Sequence, residues 1–545
     1  MGREYAAPPA MRILPPRRFL TVLVLPALLA VNAAAQAPKP PAPKPGAKPA
    51  APAPKAPAAK PGTPAAKTAA PAKPAASNAP MPVSIAPAGE KLDGTLNVWL
   101  KNVSAKNRSA LTLWPAWSKA ADMPAGPVPM PADVWSGMPE RSAWEQWAAG
   151  GAALATALRA SSECLVLGVA YGDAGGDATL KAKGLDALPG SATGEAAFPY
   201  LRAVRGLAAY SILEMQRRGA AGKYAEAFEV GLDGIRMLRQ VAEQRMLDEK
   251  LVALQLMSSA LEAHRVFMAD HLDKIPLEVL QAVALKGYPF VKPGDRDRFA
   301  RLELPEGDRT VVEERIAVLF NVEGQPDADK FGQMMGAVQA KDEPLSRFGA
   351  VACWNQLAST HGSLDATRAR LGEVYDDWWR RWRMRFYDSL VERASEYSRL
   401  NKARYALISL LVGDLEAAFA MRLRVIEELN GTAVAAGLLG FRMDNGKQWP
   451  RDLGQIFPTY ALKKMDMDPY SRKYASFMYR DVGEKPVGID TPWGQVEATG
   501  ACMWSLGGDH DDSNMARHDA PAGGRGDLVI WPPPRQLAQK AGLIK

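Results

Sequence analysis

The sequence predicts a mainly α-helical protein, an irregular helical array, that ends in a small C-terminal α+β domain. Three observations carry this. Between residues 198 and 272, Leu201, Val204, Ala208, Ile212 and Met215 recur at three- and four-residue steps, and Tyr224, Phe228, Leu232, Ile235, Leu238 and Ala242 repeat the pattern. That spacing lines one face of a helix. A second periodic stretch covers residues 364–427. After about residue 431 the style changes to short segments punctuated by Asn445-Gly446, Asp468-Pro469 and Gly507-Gly508, the residues that break regular structure.

A chain of 545 residues allows about two to four domains at ~100–200 residues each. Residues 1–80 hold eleven Lys/Arg and one Glu, so the net +8 of the whole chain sits in this stretch and the rest is close to neutral. A nucleic-acid footprint needs a basic face on a folded domain, and none is indicated. Residues 1–35 read as a secretory signal. Met11 is the expected start, Arg12, Arg17 and Arg18 supply the charged region, residues 19–31 are apolar, and Ala33-Ala34-Ala35 offers a cleavage site. The apolar run is shorter than the ~20 residues that span a bilayer, so membrane anchoring is expected only if the signal stays uncleaved. No Cys follows it, which excludes a lipoprotein anchor.

Residues 36–80 are almost wholly Ala, Pro and Lys. Pro fixes φ and removes donors, so this stretch is expected to be an extended, disordered linker reaching on the order of 100 Å. Residues 81–195 are Trp- and Pro-rich and irregular, with Trp99, Trp114, Trp117, Trp135, Trp144 and Trp147 among turns such as Met123-Pro-Ala-Gly-Pro-Val-Pro-Met-Pro131. These rings are expected to anchor the segment on helices rather than to form a carbohydrate platform. A helix is expected over 145–160, and 164–170 is a short apolar run, strand or buried helix.

Residues 196–430 form the helical body. Within it, Gly222-Lys-Tyr-Ala-Glu-Ala-Phe228 resembles the turn and second helix of a tetratricopeptide hairpin, but it is a single copy and solenoids need about three. Short helices are expected over 310–320 and 329–340. In Tyr375-Asp-Asp-Trp-Trp-Arg-Arg-Trp-Arg-Met-Arg-Phe-Tyr387 the stripe Tyr375, Trp378, Trp379, Trp382 and Phe386 reads as a core face, with Arg380, Arg381 and Arg383 in solvent. A break is expected at Asn401, a helix over 405–429, and a stop at Asn430-Gly431.

Chemistry is sparse. The sequence has no Gly-x-Ser-x-Gly elbow, His-Glu-x-x-His, phosphate loop or dinucleotide fingerprint. Cys164, Cys353 and Cys502 are far apart, allow at most one disulfide and include no Cys-x-x-Cys. Asp376-Asp377 reads as helix-surface acid, and His264, near Leu261 and Phe267, as a structural imidazole.

The tail, 431–545, carries the most specific pattern. An Ala433-Val-Ala-Ala-Gly-Leu-Leu-Gly-Phe441 helix leads into Asn445-Gly-Lys-Gln-Trp-Pro450. Leu453, Ile456, Met467-Asp-Pro-Tyr470, Trp504-Ser-Leu-Gly-Gly-Asp-His-Asp-Asp512 and Gly526-Asp-Leu-Val-Ile-Trp531 follow. In that order these elements resemble the globular head of type II secretion major pseudopilins. The resemblance covers about 100 residues of the chain and implies a short antiparallel sheet. The whole chain looks like large exported bacterial proteins with a helical body and a pseudopilin-like tail. It lacks the apolar N-terminal stalk helix on which pseudopilins polymerise, so assembly into a pseudopilus is not expected.

Asp509, Asp511 and Asp512 crowd a Gly-flanked loop after Ser505, and Asp527 returns just before an apolar run. Hard oxygen ligands in a flexible loop suit Ca²⁺, although the spacing is not that of an EF-hand. In pseudopilins the corresponding loop binds Ca²⁺, which implies Ser505, Asp509, Asp511, Asp512 and Asp527 as the metal ligands here. His510 and His518 leave a transition metal open, and a solvated acidic turn is the alternative.

The expected function is a non-enzymatic protein of the periplasm or cell envelope, structural or interaction-forming, with protein partners and no nucleic acid. Two alternatives stand beside it: a type II secretion accessory, and a metal-dependent envelope hydrolase using the acidic loop.

Overall fold

The computed structural model describes residues 89–172, 182–188, 197–284, 302–332, 355–384, 391, 393–462, 468–471, 475–518 and 526–544. The leader and linker (residues 1–80), Cys353, Phe386 and most of the helix expected over 329–340 lie outside them. In chain order the helices are α1 (Gly89–Leu96), α2 (Ala110–Lys119), α3 (Arg141–Ala149), α4 (Ala152–Ser161), α5 (Tyr200–Ala220), α6 (Tyr224–Ala242) and α7 (Leu247–Asp270). They continue with α8 (Leu277–Ala284), α9 (Glu306–Ala317), α10 (Leu364–Arg383), α11 (Ala406–Leu411), α12 (Leu415–Asp444) and α13 (Pro534–Lys540). Five short strands follow α12: β1 (Met478–Asp481), β2 (Val487–Thr491), β3 (Gly494–Ala498), β4 (Ala501–Ser505) and β5 (Leu528–Trp531).

The body is built around three successive helices. Lys223 N–H closes the α5–α6 turn on Arg218 O at 2.9 Å, and Gly222 takes the left-handed φ of +75° that the turn needs. α5 packs along α6, α6 along α7, and α7 along α12. The two stripes read from sequence bury each other: Val204, Ile212, Met215, Ile235 and Leu238 are fully inaccessible. The N-terminal Trp residues anchor an irregular segment onto these helices. Trp147 meets Trp144 at 5.5 Å and Tyr210 of α5 at 5.9 Å, both edge-to-face. Residues 164–170 are neither strand nor helix. Val166 makes a lone bridge with Arg108, and the Gln240 side chain donates to Ser161 O and Cys164 O.

A second cluster joins α9, α10 and α11 around Ile316, Leu371, Val374, Trp378 and Trp382. The expected aromatic stripe is corrected at two positions. Trp379 is 41 % exposed, stacked under Arg383 at 3.9 Å, whereas Arg381 is buried and donates to Asp377 at 2.9 Å. At 100° per residue Trp379 falls between the buried face and solvent.

The stop expected at Asn430-Gly431 is also corrected. α12 runs unbroken through both residues, while the helix expected from 405 is interrupted at Val412-Gly413-Asp414. Asp414 caps α12 by accepting from Ala417 N at 2.8 Å. Gly431 is a packing glycine: a Cβ there would meet three Ile530 side-chain atoms at 2.8–3.0 Å. The helix ends one Asn-Gly later, where Gly446 and Lys447 turn left-handed and Lys447 N donates to Arg442 O.

The tail contains a three-stranded antiparallel sheet in the order β1-β4-β5 and a separate β2–β3 hairpin. From Ala501 to Trp504 and from Leu528 to Ile530, successive side chains alternate between two cores, as a pleated strand requires. Ala501, Met503, Leu528 and Ile530 join the main cluster, which runs without interruption through Leu438 of α12 to Leu261 and Leu207 of the body. Cys502, Trp504 and Val529 face Ile489 and Val496 of the hairpin. The sheet therefore shares its core with the helical array. No described helix is long and apolar enough to cross a membrane.

Candidate functional site

The four aspartates expected as metal ligands lie along the stretch between β4 and β5, and the carboxylates of Asp509, Asp512 and Asp527 are turned onto their own surroundings. Asp509 accepts from Gly526 N at 2.8 Å and Asp511 N at 3.3 Å. Asp512 accepts from Trp504 Nε1 at 3.1 Å and Asn514 N at 2.9 Å. Asp527 is fully buried and takes Ser513 N, Ser513 Oγ and Met515 N at 2.7–3.2 Å; burial pushes its pKa up against these donors. Asp511 is exposed. Among the described residues of the loop, three that are not glycine, His510, Asn514 and Met515, take positive φ as the chain wraps around these oxygens. Among the described residues no three His, Cys, Asp or Glu side chains are grouped to hold a metal; residues 519–525 of this loop lie outside the description.

Ser505 belongs to a different, inner group. Its hydroxyl donates to Asp468 Oδ1 at 2.8 Å, and Leu506 N donates to Asp468 Oδ2 at 3.1 Å. Asp468 also receives Tyr470 N at 2.8 Å, an Asx turn that the following proline favours. The Asp-Pro-Tyr turn and the start of the acidic loop are thereby tied through one buried carboxyl, whose pKa burial raises.

Behind this pair lies Glu427 of α12. It is fully buried, and neither of its carboxylate oxygens accepts a hydrogen bond. The Ser505 hydroxyl lies alongside but gives its proton to Asp468. Burial drives the Glu427 pKa well above the ordinary carboxylate range, with Arg424 opposing and Asp468 reinforcing the rise. A buried carboxyl without donors is costly as an anion.

The next residue behaves in the opposite way. Glu428 accepts from Ser258 Oγ, Arg424 Nε and Arg265, each at 2.8 Å, and Arg265 also reaches Thr432 Oγ1 at 2.9 Å. Burial pushes Glu428 up, but the two guanidiniums outweigh it and hold the pKa below the ordinary value. His518, which accepts from Val529 N at 3.2 Å, is pushed down to about 3 by burial, with Arg424 adding to the fall. It is a neutral imidazole at physiological pH. A polar cluster thus lies beside the apolar contacts where α12 meets α7 and the sheet.

A surface clamp closes the same junction. Arg535 of α13 bonds Asp133 at 2.7 Å, pairs with Glu262 of α7 at 3.1 Å and stacks over Trp493 of the hairpin turn at 4.8 Å. Gln536 reaches Asp270 of α7 at 2.8 Å. In the body, Glu249 is the most elaborate buried acid. Tyr171 and Tyr200 each donate to it at 2.6 Å, Met246 N donates at 3.1 Å, and burial raises its pKa to about 7. His264 donates from Nδ1 to Ala260 O at 2.7 Å within α7, a structural imidazole as expected.

Glu427, Asp468, Glu249 and Arg535 were not singled out as site residues from sequence. The local signals were the Asp468-Pro469 turn and Glu249 three residues into a helix, the position from which a carboxylate reaches back to the cap. No protein-family model, curated protein or solved structure matches this chain.

Proposed function

We propose that this is a non-enzymatic exported protein of the cell envelope, whose tail is a pseudopilin-like head held fast on a helical body that meets a protein partner. The observation that carries the reading is the use made of the polar residues. Glu428 takes Arg265 of α7 and Arg535 reaches Asp133 across the junction, while Asp468, Ser505 and Asp527 fix the turns of the tail itself. Side chains committed to holding two parts together are those of a scaffold. The basic, apolar leader and the Pro/Lys linker support export and a tethered position.

The test is affinity capture of full-length protein from cross-linked envelope preparations, with localisation followed by a periplasm-dependent reporter fused at the C-terminus. One or more envelope proteins recovered in stoichiometric amount, and an active reporter, are expected. An inactive reporter, or recovery of no envelope protein, contradicts the reading. A second reading, a type II secretion accessory, is favoured by the motif order of the tail, in which Asn445-Gly446, Trp449-Pro450, Asp468 and Ser505 follow one helix into one sheet. Direct binding of the purified protein to a major pseudopilin tests it.

A further inference from the structure

Glu427 is an ionisable side chain that the scaffold reading does not use. It is fully buried and both of its oxygens lack a donor. Two other oxygens face the same space: the Asp468 carboxyl, with three hydrogen bonds and so about one lone-pair direction left, and the Ser505 hydroxyl, already donating to it. Arg424 acts on Glu427 from nearby, but its Nε is given to Glu428, which Arg265 also engages.

We propose that the tail holds a small hard cation between Glu427, Asp468 and the Ser505 hydroxyl, in the junction of α12 with the sheet, and not on the outer acidic loop. Two carboxylates and a hydroxyl, with no nitrogen or sulfur among them, form an oxygen set that selects Ca²⁺ over zinc or copper. Asp468 is oriented in advance by three donors, so it loses little freedom on binding. The outer carboxylates are poorer candidates because Asp509, Asp512 and Asp527 already take N–H groups of their own loop. The inference stands apart from the scaffold reading and does not depend on a partner.

The experiment uses the full chain, freed of metal with a chelator, titrated calorimetrically with Ca²⁺ and melted with and without it. One ion per chain and a raised melting temperature are expected. Glu427→Gln should weaken binding on the order of 100-fold, by removing charge from the ligand set, and abolish the thermal shift. Asp511→Asn, on the outer loop, should bind as the parent does. In chelator, Glu427→Gln should melt close to the parent, since the amide is a neutral isostere of a carboxyl whose charge burial already disfavours. Absence of binding and of stabilisation at ~10 mM Ca²⁺, or loss of binding in Asp511→Asn with retention in Glu427→Gln, overturns the proposal. The first of these outcomes assigns the Glu427 site to a proton. Should Glu427→Gln fail to fold, terbium soaked into crystals of the parent locates the site. An anomalous peak beside Glu427 supports it; a peak at Asp511, or none, overturns it.

Discussion

Ile530 of the last strand fills the space that a side chain at Gly431 would need, so the middle of α12 and the edge of the sheet meet backbone to side chain. This contact joins the two parts of the chain at their shared core. Gly431→Leu is predicted to destabilise the protein by about 2–3 kcal/mol, the usual cost of overpacking, despite a gain of ~1 kcal/mol in helix propensity. Ile530→Ala in the same chain should recover part of that loss. Urea unfolding of the four members of the cycle measures the coupling.

The Arg535 clamp is predicted to contribute modestly. Asp133 is half exposed, which screens its share, while Glu262 is mostly shielded. Arg535→Ala should cost about 1–2 kcal/mol, and Arg535→Lys should recover little, because an ammonium cannot fork between two carboxylates and stack on Trp493 at once. Thermal melts of both variants test the order.

Two groups of opposite sign shape the pH profile. Glu249 titrates at about 7 in the folded protein, above its unfolded value near 4.5, so its stabilising proton is fully present below pH ~4.5 and is lost as pH rises through about 7. His518 titrates at about 3 against about 6.5 unfolded, so the stability of its neutral form is present above pH ~6.5 and lost as pH falls toward 3. Glu249→Gln should flatten the decline of melting temperature between pH ~4.5 and ~7. An unchanged slope in that variant would show that Glu249 does not carry the effect.

Much of the helical body was legible because its apolar residues repeat at helical spacing and bury one another in sequence-adjacent pairs. The tail's order of segments was legible from its turn residues. Two things were not. Asn-Gly occurs at both 430–431 and 445–446, and only the second is followed by a polar stretch and Pro450; the first is overridden by Ile530, a contact about 100 residues away. The inner site was hidden for a similar reason. Nothing in the local sequence marks Glu427 and Glu428, because Arg265, Ser258, Asp468 and Ser505, the groups that surround them, lie on other elements. Chain separation, not chemistry, concealed them.

Trp379 and Trp382 provide a direct check on that limit, since sequence spacing placed both in the core. Trp382 is fully enclosed, under Arg422 at 5.0 Å and Phe419 at 5.7 Å. Trp382→Ala should cost about 3–5 kcal/mol, and Trp379→Ala less than ~1 kcal/mol. Equal losses would contradict the placement of the stripe.

The central claim is that body and tail share one core through α12, and calorimetric unfolding of the full-length protein tests it most directly. A single transition in which the amides of residues 431–439 exchange as slowly as those of α7 is predicted, because Ala433, Leu438, Met503 and Ile530 belong to the same apolar cluster as Leu261. Two separate transitions, with the strands and the second half of α12 exchanging before α7, would contradict it.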